Sequence, residues 1–234
     1  RFCKGELIMR FELMYESFFK ILKGVPLTLE VVFLSTIFGL VLAVGVALMR
    51  VSKNKFLSNP AYYFIYTIRG TPLLLQLFFI YYGLAQFTFI RESFLWYVLE
   101  SPLFCGILTL TLSTAAYSAE IIRGGMQSVS PGYIEAASSM GMSKMLRLRK
   151  IILPITIRQA LPAYGNELIL MVKATSLISI VTLMEITGIA RTIISKTYAP
   201  VEIFIVAGSI YLFINFVITR FIKYAEHKVN HGSI

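Results

Sequence analysis

Long apolar runs alternate along this chain with short polar stretches that are mostly basic. The runs cover about 25–49, 61–84, 103–122, 163–183 and 201–222. A helix rises about 1.5 Å per residue, so a run of about 20 to 25 residues crosses an apolar layer of roughly 30 Å. The pattern predicts an all-α integral membrane protein with five transmembrane helices, built as one domain over 1–234. In the first run Gly39, Ala43, Gly45 and Ala47 are small enough for close helix contact. Glu30 sits near its start, where the helix dipole tolerates an acid, and Arg50, Lys53 and Lys55 follow its end. The second run is broken by Arg69-Gly70-Thr71-Pro72. Gly permits unusual backbone angles and Pro lacks an amide donor, which predicts a first helix at 61–68 near the cytoplasmic face and a deeper part over 72–84.

The third run changes character. Its second half carries Ser113, Thr114, Tyr117, Ser118 and Glu120, a density that indicates packing against protein or a cavity rather than lipid. Pro162 reads as the start of the fourth span, and Asn166, Glu167, Lys173, Thr175, Ser176 and Ser179 fall within it. Between the second and third runs, 87–101 reads as an external loop or interfacial helix. Ahead of the first run, 11–24 approximates an amphipathic interfacial helix, with Phe11, Met14, Phe18, Ile21 and Leu22 along one stripe and Gly24 ending it.

The segment 131–154, PGYIEAASSMGMSKMLRLRKIILP, interrupts the spans with a half-polar, basic pair of short helices. Ser130 is placed to cap the first and Pro131 suits its opening position. Tyr133, Ile134, Ala136, Ala137 and Met140 offer a compact apolar surface, and Gly141 permits a sharp turn. Ser143 is placed to cap a second helix bearing Lys144, Arg147, Arg149 and Lys150, with Pro154 as its stop. Two readings are open on composition alone: a solvated connector, or a rigid knob that fits a partner.

Composition supports the membrane reading. Hydrophobic residues make up 57% of the chain and charged residues 15%, less charge than a soluble domain carries. The net charge of +10 lies largely between apolar runs, which points to cytoplasmic loops rather than to nucleic acid. The internal loops favour a cytoplasmic C-terminus and an outside N-terminus, and the basic N-terminal segment opposes that choice. Cys3 and Cys105 form neither a disulfide framework nor a metal motif, and Cys105 reads as a small buried residue.

Glu167 and Lys173 are the expensive residues, because a charge near mid-bilayer costs about 2.5 to 3.5 kcal/mol on insertion scales. Six residues turn a helix through about 600°, so the two lie on different faces and do not form one ion pair. Glu120 is a candidate partner for Lys173. The alternative is a solute site: Asn166 and Glu167 hold the solute, with Thr175 and Ser176 nearby, and Glu167 meets a cationic group. Arg69, Pro72, Glu120 and Lys173 read as gate or packing residues, and Arg69 also as a lipid-phosphate anchor or a cap on the Gly70 break. Glu185, at the outer end of span four, reads as facing water or a binding protein.

Glu135-Ala136-Ala137, Gly141, and Ile151-x-Leu153-Pro154 together resemble the conserved coupling loop of membrane subunits from bacterial ABC importers. Ser138-Ser139 depart mildly from the Arg-Ala that often follows in that family. The runs IRGTPLLLQLFFIYYG (68–83), AAYSAEIIRGG (115–125), ALPAYGNELIL (160–170) and KATSLISIVTLMEITG (173–188) are similar to the polar amino-acid subfamily, closest to the arginine/histidine type. The resemblance implies a permease subunit of the bacterial inner membrane for a polar amino acid, arginine or another basic one. It implies a second permease subunit, identical or related, and two ATPase subunits that carry ATP and Mg. It also implies a periplasmic or tethered solute-binding protein. Glu135, Ala136, Ala137 and Gly141 would meet the ATPase. The chain carries no G-x-x-x-x-G-K-[ST] nucleotide loop, no candidate catalytic or metal site, and no cofactor of its own. An ion-coupled secondary transporter is the alternative, though it would be expected to show paired internal halves, which this chain lacks.

Overall fold

The computed structural model describes residues 10–231, and Cys3 lies outside them. Among the described residues every regular element is helical: α1 (Phe11–Leu22), α2 (Val25–Val51), α3 (Lys55–Gly70), α4 (Leu73–Phe78), α5 (Thr88–Arg91), α6 (Trp96–Leu99), α7 (Pro102–Gln127), α8 (Pro131–Ser139), α9 (Lys144–Arg147), α10 (Leu153–Ala174), α11 (Ile186–Thr197) and α12 (Pro200–His231). Four helical stretches are long and apolar enough to cross a membrane: Val25–Val51, Pro102–Gln127, Lys144–Val181 and Pro200–Val229. The bent pair Lys55–Gly70 and Leu73–Gln86 passes the same test only when taken together, which makes a fifth when counted as one span, and its halves change direction by 105°.

That bend falls at the predicted Gly70–Pro72 break. Thr71 and Pro72 are extended, and the Gln76 side chain folds back over the broken end. Its Nε2 donates to Ile68 O at 2.7 Å and to Thr71 Oγ1 at 2.8 Å. The cap at the break is therefore Gln76, whose amide reaches the carbonyls that α3 leaves open. Arg69 does not cap it.

The bundle is organised on α7. Helix α2 lies along one side of it, α10 along another, and α3 and α4 cover its polar half. The close approach of α2 and α7 needs Gly39: a Cβ there would stand 2.7 Å from Thr114 Cβ. Val31, Leu77, Leu110, Ile178 and Val181 form the core between α2, α4, α7 and the fourth span. A second core joins α1, α10, α11 and α12 through Ile21, Val172, Ile186 and Ile203. Phe33, Phe38, Phe204, Phe213 and Phe216 stay exposed on α2 and α12, as expected of helices whose outer faces meet lipid.

Two expectations are corrected. Pro154 does not stop a helix, and Pro162 does not start one. Lys144–Val181 is continuous over 38 residues, about 57 Å at 1.5 Å per residue, so it extends well beyond an apolar layer of roughly 30 Å. Pro154 follows directly on a π-helical turn at Leu148–Ile152, whose wider path accommodates a residue with no amide to donate. Pro162 lies inside α10 with its ring on the exposed side. On α1, Ile21 is buried against the bundle, whereas Phe11, Phe18 and Leu22 are exposed.

Candidate functional site

Three features of the fold bear on function: a small cavity at mid-bundle, a basic cavity beside it, and the insert at the end of the bundle.

The small cavity, about 180 Å³, lies between α4, α7 and α10. Leu73, Ser113, Thr114, Tyr117, Glu167 and Ala174 are among its walls. Glu167 is buried, with 8% of its surface exposed, and lies deep in the α10 span. Among the described residues no hydrogen bond or ion pair reaches its carboxylate. Such a group is costly in an apolar setting.

The other expected solute residues do not gather around Glu167. Asn166, next in sequence, points to the exposed side of α10. Thr175 is fully buried and donates to Val172 O at 2.7 Å. Ser176 donates to Lys173 O at 2.7 Å. Both stand at the start of the 3₁₀ segment Thr175–Val181, on faces that helical spacing already turns away from Glu167, and neither lines its cavity. Tyr117 is the wall residue that sequence reasoning leaves unassigned; its signal is the polar stretch in which it lies.

The expected Glu120–Lys173 pair is not made. Glu120 is taken by Arg123 one turn further along α7, with Arg123 Nη2 to Glu120 Oε2 at 2.7 Å and Nε to Oε1 at 2.9 Å. Spacing of three residues puts both on one face, while Lys173 faces outward. Glu120 and Arg123 belong to a second cavity of about 460 Å³, lined also by Arg50, Arg69, Tyr62, Tyr66 and Tyr117. Tyr117 is the wall between the two cavities, and the Arg69 guanidinium lies over its ring at 5.0 Å. Pro72 is the extended hinge residue just ahead of α4.

The insert folds as a short hook. Ser143 caps its second helix, its Oγ accepting from Leu146 N at 3.3 Å. Ser130 stands at the N-cap of α8 without a side-chain bond. Gly141 takes φ +75°, a left-handed angle that turns the chain between α8 and α9. Arg147 donates to Ser138 Oγ and ties the two helices. Glu135 and Ala136 are exposed, together with Tyr133, Met140 and Met145, whereas Ala137 is fully buried inside the chain. Ala137 thus seats the hook, and its neighbours form the surface that is open to a partner.

Residues 35–231 match the family described as binding-protein-dependent transport system inner membrane component. The chain belongs to this family. It is 56% identical over 223 residues to the nopaline transport system permease protein of Agrobacterium fabrum (strain C58), covering 95% of this chain and 92% of that one. It is 42% identical over 206 residues to the histidine/lysine/arginine/ornithine transport system permease protein of Escherichia coli K12, covering 88% and 87%. The arginine ABC transporter permease protein of Haemophilus influenzae is 36% identical, covering 89% and 92%. The fold matches a crystal structure of an amino acid ABC transporter with histidines at a TM-score of 0.82 and 33% identity, over 95% of this chain and 99% of that one. The protein is an amino-acid ABC-transporter permease with membrane-spanning helices, which sets aside the ion-coupled secondary transporter.

Proposed function

We propose that this permease forms, with a second permease subunit, the pathway for a solute bearing a cationic group, arginine or a compound of that type, and that ATP hydrolysis in separate subunits drives it inward. The observation that carries the solute class is Glu167, a carboxylate held in a mid-bundle cavity without a protein cation bonded to it. An ammonium or guanidinium group would supply the missing partner through charge-assisted hydrogen bonds. The names of the relatives agree in class: arginine, lysine and ornithine all carry cationic side chains, and nopaline stands beside them.

The coupling surface is the exposed part of the hook. Glu135 gives it one charge, and Tyr133, Met140 and Met145 give it flexible and aromatic apolar contact of the kind that fills a groove in a partner. Because α9, the π-helical turn and α10 follow one another without a break, displacement at Lys144 would pass along the helix toward Glu167. This reading places the hook in the cytoplasm with the C-terminus, and the N-terminus outside. The family description supports a binding protein as the source of solute.

Reconstitution tests the reading. The permease is placed in liposomes with the ATPase and binding protein encoded beside it, and uptake of radiolabelled arginine is followed with and without ATP. Uptake should require ATP and compete with lysine or ornithine. Uptake that persists without a nucleotide-hydrolysing partner, or that ignores every cationic competitor, would overturn it.

A further inference from the structure

The basic cavity beside the solute cavity has more positive charge than the fold uses. Three guanidinium groups face it, Arg50, Arg69 and Arg123, against the single carboxylate of Glu120. Arg123 is committed to Glu120 and, through Nη1, to Gln127 at 2.7 Å. Arg69 lies over the face of Tyr117 and acts on Glu120 and Glu167 only at a distance, with no hydrogen bond or ion pair among the described residues. Arg50 lies over Tyr62 at 5.1 Å and gives Nη1 to Ser58 at 3.3 Å, but its Nε is buried without an acceptor. Two guanidinium forks are therefore left with donors to spare in one cavity. Guanidinium forks match the oxygens of phosphate, and a stranded donor gains most from such an acceptor.

The position of the cavity says where the anion comes from. It lies where α2 and α7 end, the end of the bundle that also carries the hook. Its roof is α3, set at 105° to the deeper half of its span. With that deeper half crossing the bilayer, a helix at 105° to it lies close to the membrane plane. It carries exposed Phe56, Tyr62, Tyr63 and Tyr66, and such rings collect at headgroup level. Basic cavities between helices at that depth suit the headgroups of anionic lipids.

We propose that the cavity of Arg50, Arg69 and Arg123 binds a phosphate anion, and that its source is the headgroup of an anionic phospholipid in the leaflet on the hook side. The phosphate bridges Arg50 on α2 and Arg69 on α3, and so pins the surface helix to the bundle next to the Tyr117 wall. The site is independent of which solute is carried.

The test uses the full chain, purified with the subunits that accompany it, in nanodiscs of phosphatidylcholine with or without phosphatidylglycerol. Retained lipid is counted by native mass spectrometry after extraction, and melting is followed in parallel. Wild-type protein should retain phosphatidylglycerol over phosphatidylcholine. Arg69→Gln, and Arg50→Gln with Arg69→Gln, should each weaken retention by about tenfold or more, the loss expected for charge-assisted bonds. Lys223→Gln removes a charge of the same sign from the exposed tail of α12 and should leave retention unchanged. Equal retention in the Arg69 variants, or an equal loss with Lys223→Gln, overturns the proposal. So does a wild-type protein that is stabilised by inorganic phosphate and shows no preference for phosphatidylglycerol, because the source would then be a soluble anion. If the double variant fails to fold, Arg69→Gln alone decides, since that side chain is exposed and holds no ion pair.

Discussion

Tyr211 donates a hydrogen bond of 2.6 Å to Glu185, across 26 residues of chain. The other carboxylate oxygen accepts the Gly188 amide at 2.9 Å and so caps α11. Thr187 Oγ1 stands 3.1 Å from the same Tyr211 hydroxyl. Glu185 is fully buried, which corrects the expectation that it faces water or a binding protein. It is the joint at which α11 is fixed to the middle of α12. Tyr211→Phe leaves this buried carboxylate one donor short, so the bundle should lose about 1–3 kcal/mol. Thermal melting of the purified permease should fall by a few degrees, roughly, for a chain of this size. Solute uptake per folded molecule should not change, and melting equal to wild type would show that the bond adds nothing.

The same joint has a pH signature. Burial pushes the Glu185 carboxyl above the usual carboxylate range, against the hydrogen bonds from Tyr211, Thr187 and Gly188 that hold it down. A value raised in the folded state means that ionising Glu185 costs the fold. The stability is fully present below the unfolded carboxylate value, near 4.3, and is lost as pH rises through the raised folded value. Glu185→Gln removes that dependence. Its melting temperature relative to wild type should climb between acidic and neutral pH. A difference that is flat, or that falls with pH, contradicts the raised value.

The proposed solute role of Glu167 is separable from folding. Glu167→Gln keeps the volume and removes the charge, so the folded permease should form normally. Arginine uptake should fall by about tenfold or more, as expected when one charge-assisted hydrogen bond is lost. Unchanged affinity and rate would remove Glu167 from the pathway. Asn166→Ala is the companion measurement. Its side chain is exposed on another face of α10, so any loss of uptake there would place that face on the pathway or against the second subunit.

The hook is tested at its turn. Gly141 has a φ of +75°, and no neighbouring atom comes within 4 Å of a Cβ built there. Gly141→Val therefore acts through backbone strain alone, about 1–2 kcal/mol. It should redirect α8 relative to α9. Copurification with the ATPase should drop while melting of the spans changes little. Retained coupling in that variant would take the turn out of the energy path.

Close packing on α7 gives a fifth outcome. A side chain larger than Gly at 39 meets Thr114 at 2.7 Å. Gly39→Val should separate α2 from α7 and cost about 1–3 kcal/mol by overpacking, seen as lower yield and a lower melting temperature. Gly45→Val, where the same test finds open space, should leave both near wild type.

Much of this architecture is legible residue by residue. The break at Gly70–Pro72, the Ser143 cap and the left-handed turn at Gly141 each follow from the stereochemistry of one or two residues, and the structure has all three. Prolines were less dependable. Pro154 and Pro162 read as boundaries, yet a π-helical turn and an exposed ring let one helix pass through both. That continuity joins the hook to the Glu167 cavity, and no local signal in 131–183 announces it.

Runs of apolar residues decided the spans, because water and lipid sort side chains by properties that each residue carries alone, and the motif at Glu135-Ala136-Ala137, Gly141 and Ile151-x-Leu153-Pro154 carried the family. Partners across helices are different. That Glu120 meets Arg123, that Glu185 is buried beneath Tyr211, and that Tyr117 divides an acidic cavity from a basic one all depend on how each helix is rotated against its neighbours. Packing sets those rotations over the whole bundle at once, so only the tertiary structure decided them.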